Sequence, residues 1–337
     1  MYIEKPENFE TEVLDKIIDT LNLQTNVGHG QISEMSDLQK RFLNGIIRQN
    51  KPKKIVEFGV AAGGSSAIIL NAIKDIEGSK LYSLDYSKMY YVDKSKETGW
   101  AVKEKFPYLT NKWELYTGGI GAKFIEDVGG NIDICLLDTA HCNPGEFIDL
   151  LIVLPYMRKG GIIILHDTIF HLCVNNANSY TNGTIFSCLK GKKYILNEGI
   201  LRNIGNIGAV VLDDDIMDRI LDYFYLLTFN WNYMPTNEDI SYLTKLFNKN
   251  YDQYFNDLFQ GILDYYYDKF NNTNKVSNTL EDKFNRLVNS LAWWIPVRKW
   301  RDNFRNKILY GQEQSRAEQS RAEQSRVIFK YHYDNVA

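Results

Sequence analysis

The stretch Lys54-Ile-Val-Glu-Phe-Gly-Val-Ala-Ala-Gly-Gly-Ser-Ser-Ala-Ile-Ile-Leu70 decides which fold the sequence predicts. Ile55, Val56 and Phe58 form a short apolar run, which favours a buried strand in the centre of a parallel sheet. Glycines at positions 59, 63 and 64 follow, and because they lack a Cβ the backbone can approach a ligand closely there. Two serines then begin a helix that the apolar residues 67–70 continue. The stretch therefore predicts a strand, a glycine-rich turn and a helix.

An acidic residue, Glu57, stands two residues before the first glycine of this turn. An acid in that position, followed by Gly-x-x-x-Gly-Gly, resembles the first motif of class I S-adenosylmethionine-dependent methyltransferases. The resemblance implies that S-adenosylmethionine contacts Glu57, Gly59, Gly63 and Ser65. The dinucleotide pattern Gly-x-Gly-x-x-Gly is not matched, because residues 60–62 separate the glycines. A structural turn in another kind of α/β protein remains the alternative.

Composition and charge bound the class of protein. The chain has 337 residues, of which 44% are hydrophobic and 24% charged, so it can bury a large core in one to three domains. The net charge of −3 gives no general attraction to nucleic acid. None of the four cysteines forms a Cys-x-x-Cys pair, the N-terminus has no apolar signal core, and no run of about 18 apolar residues occurs. We therefore expect a cytoplasmic enzyme without a transmembrane span.

The order of apolar segments predicts an α/β fold. Strand and helix patterns alternate from residue 51 to 213, with two final strands at 193–196 and 207–212, the last antiparallel. We predict a Rossmann-like, doubly wound, mostly parallel seven-stranded sheet with N-terminal helices and a C-terminal helical extension. The predicted domains are an N-terminal helical cap (1–50), the S-adenosylmethionine-binding methyltransferase core (51–213), a helical domain (214–290), an amphipathic helix rich in Trp and Arg (291–310), and a repeat-containing tail (311–337).

Further cofactor contacts are predicted at the ends of the second and third strands. Asp85 ends the predicted strand 80–85 and follows Gly63 by 22 residues in the sequence. This is close to the separation of about 20 residues at which a carboxylate binds ribose hydroxyls in nucleotide-binding α/β folds. Capping of the next helix is the alternative role for Asp85. Tyr86, beside it, is included in the predicted cofactor site. The family places the loop after the third strand along the adenine, which implies a contact with Gly119.

Two short motifs follow the fourth and fifth predicted strands: Asp138-x-x-His141 and His166-Asp167-Thr168. Polar residues at the carboxyl ends of neighbouring parallel strands face the ligand crevice of an open sheet. The pair of motifs resembles the branch of class I methyltransferases that includes macrocin O-methyltransferase and cephalosporin hydroxylase. The resemblance implies that Asp138 and Asp167 hold Mg²⁺, that Asp138 also borders the cofactor, and that His141 is the catalytic base. His141 acting as base without a metal is the alternative.

These groups suit methylation of a hydroxyl. A protonated hydroxyl is a poor nucleophile, and a magnesium ion held by carboxylates lowers its pKa and fixes its direction. A histidine can accept the proton. We also consider His166, His171 and His29 as substrate contacts, with ordinary loop histidines as the alternative for His171 and His29.

The segment 291–309 differs from the rest of the chain. Tryptophans and other apolar residues recur at helical spacing, with arginines between them, which is typical of a helix in a membrane interface. It also resembles segments near the ends of bacterial glycosyltransferases that build surface polysaccharides. Docking on its own domain or on a partner is the alternative. A pentapeptide repeat follows, and its period of five is not that of a coiled coil.

The sequence thus predicts an S-adenosylmethionine-dependent O-methyltransferase. We expect its acceptor to be a sugar or nucleotide-linked sugar for bacterial capsule or other surface polysaccharide, and we expect a homo-oligomer at the inner face of the membrane, with no nucleic-acid partner. An NAD-dependent sugar oxidoreductase or epimerase is one alternative. Such an enzyme would need Gly-x-Gly-x-x-Gly and a Tyr-x-x-x-Lys pair late in the core, whereas Tyr90-x-x-x-Lys94 follows the second predicted strand. A non-catalytic scaffold for membrane-associated glycan enzymes is the other.

Overall fold

The computed structural model describes residues 4–23, 32–173, 179–198 and 205–273, together with residues 284, 287 and 288. The predicted amphipathic helix 291–309, the repeat tail and His29 lie outside the described residues. The chain divides into two compact units, Met1–Tyr267 and Asp268–Ala337. The predicted domain boundaries at 50/51 and 213/214 both fall inside the first unit.

Seven strands form one sheet in the order β3-β2-β1-β4-β5-β7-β6. They are β1 (Lys54–Phe58), β2 (Lys80–Asp85), β3 (Trp113–Thr117), β4 (Ile132–Leu137), β5 (Met157–His166), β6 (Gly191–Ile195) and β7 (Ile207–Leu212). Neighbouring strands from β3 to β5 are parallel, and β7 runs antiparallel to both β5 and β6. The order reverses between β1 and β4, which is where an open α/β sheet forms its ligand crevice. The predicted Rossmann-like fold, including the antiparallel last strand, is confirmed.

Helices connect the strands and continue beyond them. They are α1 (Asp15–Leu21), α2 (Asp37–Asn50), α3 (Gly64–Ile73), α4 (Trp100–Lys105), α5 (Ile125–Val128), α6 (Gly145–Val153), α7 (Phe170–Cys173), α8 (Thr181–Cys188), α9 (Ile220–Tyr225), α10 (Asn237–Asn250) and α11 (Gln253–Thr273). Short 3-10 turns lie at Pro6–Asn8, Thr11–Val13, Pro107–Lys112, Gly121–Lys123, Leu154–Tyr156, Ile216–Arg219 and Leu226–Thr228.

Both faces of the sheet are covered, as an all-apolar central strand requires. Ile134 and Leu136 of β4 belong to the core cluster that also contains apolar residues of α1, α2 and α3. Cys135 and Leu137 alternate with them, so they point to the opposite face, and they are equally buried. This double burial holds the strand ends in place where they meet the crevice.

Helix α8 lies between β5 and β6, in a part of the chain where the sequence shows no helical pattern of apolar residues. Its first residues, Thr-Asn-Gly-Thr, are poor helix formers, so local propensity gives no helix signal there. Tertiary contacts stabilise the helix instead. The Nδ2 group of Asn182 donates to the Leu137 carbonyl at 3.3 Å and to the His166 carbonyl at 2.8 Å. Ile185, one turn later, is fully buried. The helix therefore clamps the ends of β4 and β5 together.

The segment after the sheet is rich in aromatic contacts. The Phe224 ring lies 5.0 Å from Tyr251 and 5.7 Å from Phe247, measured between ring centroids. Tyr266 stacks on Trp231 with centroids 4.5 Å apart. Tyr266 is therefore used in packing, while its neighbours Tyr265 and Tyr267 are exposed.

No helix within the described ranges has both the length and the apolar character that crossing a membrane requires.

The turn after β1 approaches the end of β4 so closely that only glycine fits at its first position. Gly59 has φ +88°, and a Cβ built there would lie 1.8 Å from the carbonyl oxygen of Asp138. Neither the left-handed conformation nor this backbone contact tolerates a side chain. Gly59 therefore allows the loop after β1 and the loop after β4 to lie side by side at one edge of the crevice.

We expect Gly59→Ala to lower the free energy of unfolding by more than about 3 kcal/mol, because backbone strain and a backbone clash act together. The measurement is urea denaturation followed by circular dichroism. Gly130→Ala is the matched control, since a Cβ at Gly130 meets nothing within 4 Å. Equal stability losses in the two variants would contradict the close approach described here.

Candidate active site

A cavity of about 800 Å³ opens at the carboxyl ends of β1, β2, β4 and β5. Its volume lies in the upper part of the range for small-molecule sites, so it has room for more than one small ligand. The predicted site residues that line it are Gly59, Ser65, Asp85, Tyr86, Gly119, Asp138, His141, His166 and Asp167. The structure thus brings together, around one space, residues that are far apart in the sequence.

Three of the predicted site residues that the structure describes do not line the cavity. Glu57 is fully buried beneath the glycine turn, so its side chain does not reach the cavity. Gly63 precedes α3 with φ +97° and packs toward Val102 instead of lining the space. His171 lies on α7 and is not among the lining residues. His29 lies outside the described residues.

The buried Glu57 carboxylate connects β1 to the two elements that flank the glycine-rich turn, α3 and β2. It accepts hydrogen bonds from the hydroxyls of Ser65 at 2.5 Å, Ser66 at 2.6 Å and Ser83 at 2.6 Å. Burial raises the pKa of this carboxyl to about 7, although the three hydroxyl donors oppose the shift. Glu57 therefore supports the cofactor turn through its contacts to α3 and β2.

The Asp85 carboxylate lines the cavity and holds the glycine-rich turn after β1 through backbone hydrogen bonds. Its Oδ2 accepts the backbone N–H groups of Val60 at 2.9 Å and Ala61 at 3.1 Å, and its Oδ1 accepts that of Ser87 at 2.8 Å. A carboxylate has about four acceptor positions, so about one remains for a ligand hydroxyl in this arrangement. Asp85 thus combines a structural role with a position suited to the predicted ribose contact.

Three side chains converge on the opposite wall. One ligand atom each from Asp138, His141 and Asp167 lies within 4.8 Å of the others. The Nε2 atom of His141 lies 3.4 Å from Asp167 Oδ2 and 3.9 Å from Asp138 Oδ1. Asn206 donates to the other oxygen of Asp167 and so orients that carboxylate. The two predicted motifs therefore form one cluster.

His166 is held between these carboxylates and helix α2. Its Nδ1 lies 3.3 Å from Asp138 Oδ1 and 3.4 Å from Asp167 Oδ2, while its Nε2 lies 3.1 Å from Gln39 Oε1. Burial disfavours the charged imidazole, but the two carboxylates outweigh burial and raise the pKa of His166 above its usual range. Because both ring nitrogens have protein partners, His166 orients the carboxylates of the cluster and has no ring nitrogen left for a substrate.

Two segments that we did not predict as site residues cover the cavity. Residues 32–35, before α2, line it on one side, and residues 233–236 with Asp239, at the start of α10, line it on another. The Tyr86 hydroxyl donates to Asp239 Oδ2 at 3.2 Å, and the Tyr91 hydroxyl donates to Glu34 Oε1 at 2.9 Å. The capping-box pattern Thr236-x-x-Asp239 marks the start of α10 in the sequence, but nothing local shows that this start faces a ligand.

Two buried acids on α6 are also absent from the predicted site. Asp149 accepts the hydroxyl of Thr139 at 2.7 Å, and burial raises the pKa of Asp149 to about 7 against the effect of that bond. Glu146 accepts the backbone N–H of His141 and the hydroxyl of Thr181. Helix α6 therefore holds the loop that follows β4 through two carboxylates.

The raised pKa of Glu57 predicts how pH affects stability. A carboxyl whose pKa is higher in the folded than in the unfolded protein stabilises the fold fully below its unfolded pKa, and this contribution is lost as the pH rises through the folded pKa. We expect Glu57→Gln to remove this loss, so that the variant gains about 1–3 kcal/mol relative to the unchanged protein between about pH 5 and pH 8.

The measurement for Glu57→Gln is urea denaturation of both proteins across that pH range. Glutamine cannot ionise, so any constant difference from altered serine hydrogen bonds is separated from the pH-dependent part. A stability difference that stays constant with pH would contradict the assignment of a raised pKa to Glu57.

Comparison with known proteins shows what the core is similar to. Residues 56–168 match the family model of a methyltransferase domain. No curated protein sequence matches the chain. The chain is similar to a cofactor-bound protein from MTB, with 13% identity, TM-score 0.45, and coverage of 63% of this chain and 100% of the other. It is also similar to the O-methyltransferase from Bacillus cereus in complex with SAH, with 15% identity, TM-score 0.42, and coverage of 59% and 90%.

A third similar structure is the O-methyltransferase TomG from Streptomyces achromogenes, involved in tomaymycin synthesis and solved with SAM. Identity is 13%, the TM-score is 0.40, and the alignment covers 63% of this chain and 91% of TomG. The matched residues 56–168 run from β1 to just past β5, so this part of the chain is similar to a methyltransferase domain, and the sheet order β3-β2-β1-β4-β5-β7-β6 gives it the predicted Rossmann-like methyltransferase fold.

Proposed function

We propose that this methyltransferase transfers the methyl group of S-adenosylmethionine to a hydroxyl of a sugar or a nucleotide-linked sugar. The observation that carries the proposal is the cluster of Asp138, His141 and Asp167, which opens into the same cavity as the cofactor turn. A hydroxyl needs a proton acceptor and a fixed direction before it can attack a methyl sulfonium. The cluster offers both.

The proposed reaction needs few groups. The acceptor oxygen forms a bond to the methyl carbon while the bond from that carbon to sulfur breaks, which leaves S-adenosylhomocysteine. The hydroxyl proton passes to Nε2 of His141, the ring nitrogen that faces Asp138 and Asp167. Because transfer in line depends chiefly on alignment, the covering segments 32–35 and 233–236 contribute by limiting how the acceptor can lie.

The cluster also fits a divalent cation. Asp138 and Asp167 supply oxygen ligands of the kind that Mg²⁺ prefers, and His141 then stays free to act as the base. If His141 were a third ligand in place of the base, its imidazole would also suit Mn²⁺ and other first-row metals. A bound cation would lower the pKa of the acceptor hydroxyl and neutralise the two carboxylates. We propose Mg²⁺ as the ion, with Mn²⁺ as the second ion to test.

The sugar part of the proposal is supported by the walls of the cavity. Tyr86, Tyr90, Tyr91 and Tyr233 line it together with the carboxylates of the cluster. Aromatic rings pack against the apolar faces of ligands, and carboxylates accept hydrogen bonds from hydroxyl groups. The role in surface polysaccharide, the membrane contact of residues 291–309 and the homo-oligomer are parts of the same proposal, and they depend on the sequence alone.

We expect S-adenosylhomocysteine to bind the full chain with micromolar affinity in calorimetric titration, and NAD to show no binding. Asp85→Asn should weaken that affinity about ten- to a hundredfold, because a charged hydrogen bond is worth roughly 1.5–3 kcal/mol. The exposed substitution Asp214→Asn is the control. Binding of NAD in place of S-adenosylhomocysteine would overturn the cofactor assignment for this chain.

We expect nucleotide sugars to stimulate release of S-adenosylhomocysteine from S-adenosylmethionine, and a catechol to have little effect. The assay compares Mg²⁺, Mn²⁺ and a chelator. Asp167→Asn should lower the rate at least about a hundredfold, because it removes a carboxylate from the cluster.

Asp214→Asn again serves as the matched acid-to-amide control. Stimulation by the catechol alone would overturn the sugar part of the proposal. Full activity in the chelator would restrict the mechanism to His141 without a metal.

A further inference from the structure

A buried carboxylate lies behind His141. Glu146, in the first turn of α6, has a side chain with no exposed surface. Its Oε1 accepts the backbone N–H of His141, and its Oε2 accepts the hydroxyl of Thr181 at 2.8 Å. The same Oε1 lies 3.6 Å from Nδ1 of the His141 ring. The backbone and the ring of His141 therefore face one oxygen.

The two nitrogens of His141 lie in different surroundings. Nδ1 is buried and has no hydrogen-bond partner within standard distance among the described residues. Nε2 faces Asp138 and Asp167, whose side chains are 21% and 11% exposed and border the open cavity. Phe170 packs at 5.2 Å between ring centroids and limits rotation of the imidazole.

This difference selects a tautomer. A neutral imidazole donates from one nitrogen and accepts at the other, whereas an ionised carboxylate only accepts. Burial raises the pKa of Glu146, but both of its oxygens accept hydrogen bonds, which oppose this shift and favour the ionised form. With Glu146 ionised and the proton on Nε2, the lone pair of Nδ1 would face the buried carboxylate, where water cannot separate the two. With the proton on Nδ1, that contact becomes a hydrogen bond once the ring moves a few tenths of an ångström. The lone pair of Nε2 then faces Asp138 and Asp167 at the border of the cavity, where water, a ligand hydroxyl or a cation can come between the ring and the two carboxylates.

We propose that Glu146 is a positioning residue that holds His141 as the Nδ1–H tautomer and presents the Nε2 lone pair to the site formed with Asp138 and Asp167. This inference rests on the proposed function, since it explains how His141 is made ready for it. Both roles open to His141 need this tautomer. A base accepts the hydroxyl proton at Nε2, and a metal ligand binds through the same lone pair.

Asp149 shows that the arrangement is specific. It lies one turn further along α6 and is equally a buried acid on this helix, yet its carboxylate bonds to Thr139. Among the two α6 acids, the ring of His141 therefore has Glu146 as its carboxylate neighbour. The left-handed backbone at His141, with φ +52°, also brings its N–H and its ring to the same side, toward Glu146.

The test reads the tautomer directly and needs neither cofactor nor acceptor. The full chain is labelled with ¹⁵N-histidine, and long-range ¹H–¹⁵N spectra are recorded in mildly alkaline buffer, where an ordinary imidazole is neutral. Five histidines give signals, and His141→Gln identifies that of His141 by its loss. We expect a protonated Nδ1 and an unprotonated Nε2 for His141 in the unchanged protein.

In Glu146→Gln we expect this preference to be lost. The matched control is Thr181→Val, which removes the other side-chain donor to Glu146 and leaves the contact to the ring, so the His141 tautomer should stay as in the unchanged protein. A protonated Nε2 in the unchanged protein, an unaltered tautomer in Glu146→Gln, or an equal change in Thr181→Val would each overturn the proposal. If Glu146→Gln does not fold, the spectrum of the unchanged protein decides.

A kinetic measurement adds a second readout once an acceptor is known. Glu146→Gln should lower kcat about ten- to a hundredfold, as loss of a partner behind a metal-site or catalytic histidine does, with the affinity for S-adenosylhomocysteine unchanged. In a His141→Gln background the same substitution should have no further effect on kcat. Equal losses in both backgrounds would show that Glu146 does not act through His141.

Discussion

One buried carboxylate with three hydroxyl donors determines where the cofactor turn lies. An ionised or protonated Glu57 is costly inside the protein unless hydrogen bonds replace its water, and Ser65, Ser66 and Ser83 supply them. These serines belong to α3 and β2, so satisfying one side chain of β1 fixes the helix and the neighbouring strand relative to it. The close approach of Gly59 to the end of β4 then places the second half of the site against the first.

Buried carboxylates that accept hydrogen bonds also fix the loop after β4, on the other side of the point where the strand order reverses. Helix α6 turns two acids, Glu146 and Asp149, toward the loop after β4, and both find donors on that loop. On the same side of the cleft, His166 lies between the carboxylates of Asp138 and Asp167, which favour its charged form.

How much of this the sequence predicts depends on the range of the interactions. The strand, the glycine turn, Asp85 and the two polar motifs are local patterns with fixed places in a parallel sheet, so they were predicted, and the mostly parallel seven-stranded sheet is confirmed. Gln39 reaches His166 across 127 residues, and Asp239 reaches Tyr86 across 153. No local pattern encodes such contacts. The buried position of Glu57 was missed for a related reason, since its serine partners are visible only in three dimensions.

The loop between β2 and α4 carries two tyrosines, and each of them forms a hydrogen bond to one of the two segments that cover the cavity. Tyr86 bonds to Asp239 at the start of α10, and Tyr91, five positions later, bonds to Glu34 before α2. Both covers are thus fastened to one short stretch of chain. Displacement of this stretch would break both contacts at once, so the exchange of a spent cofactor for a fresh one would involve a single loop that carries none of the residues of the Asp138, His141 and Asp167 cluster.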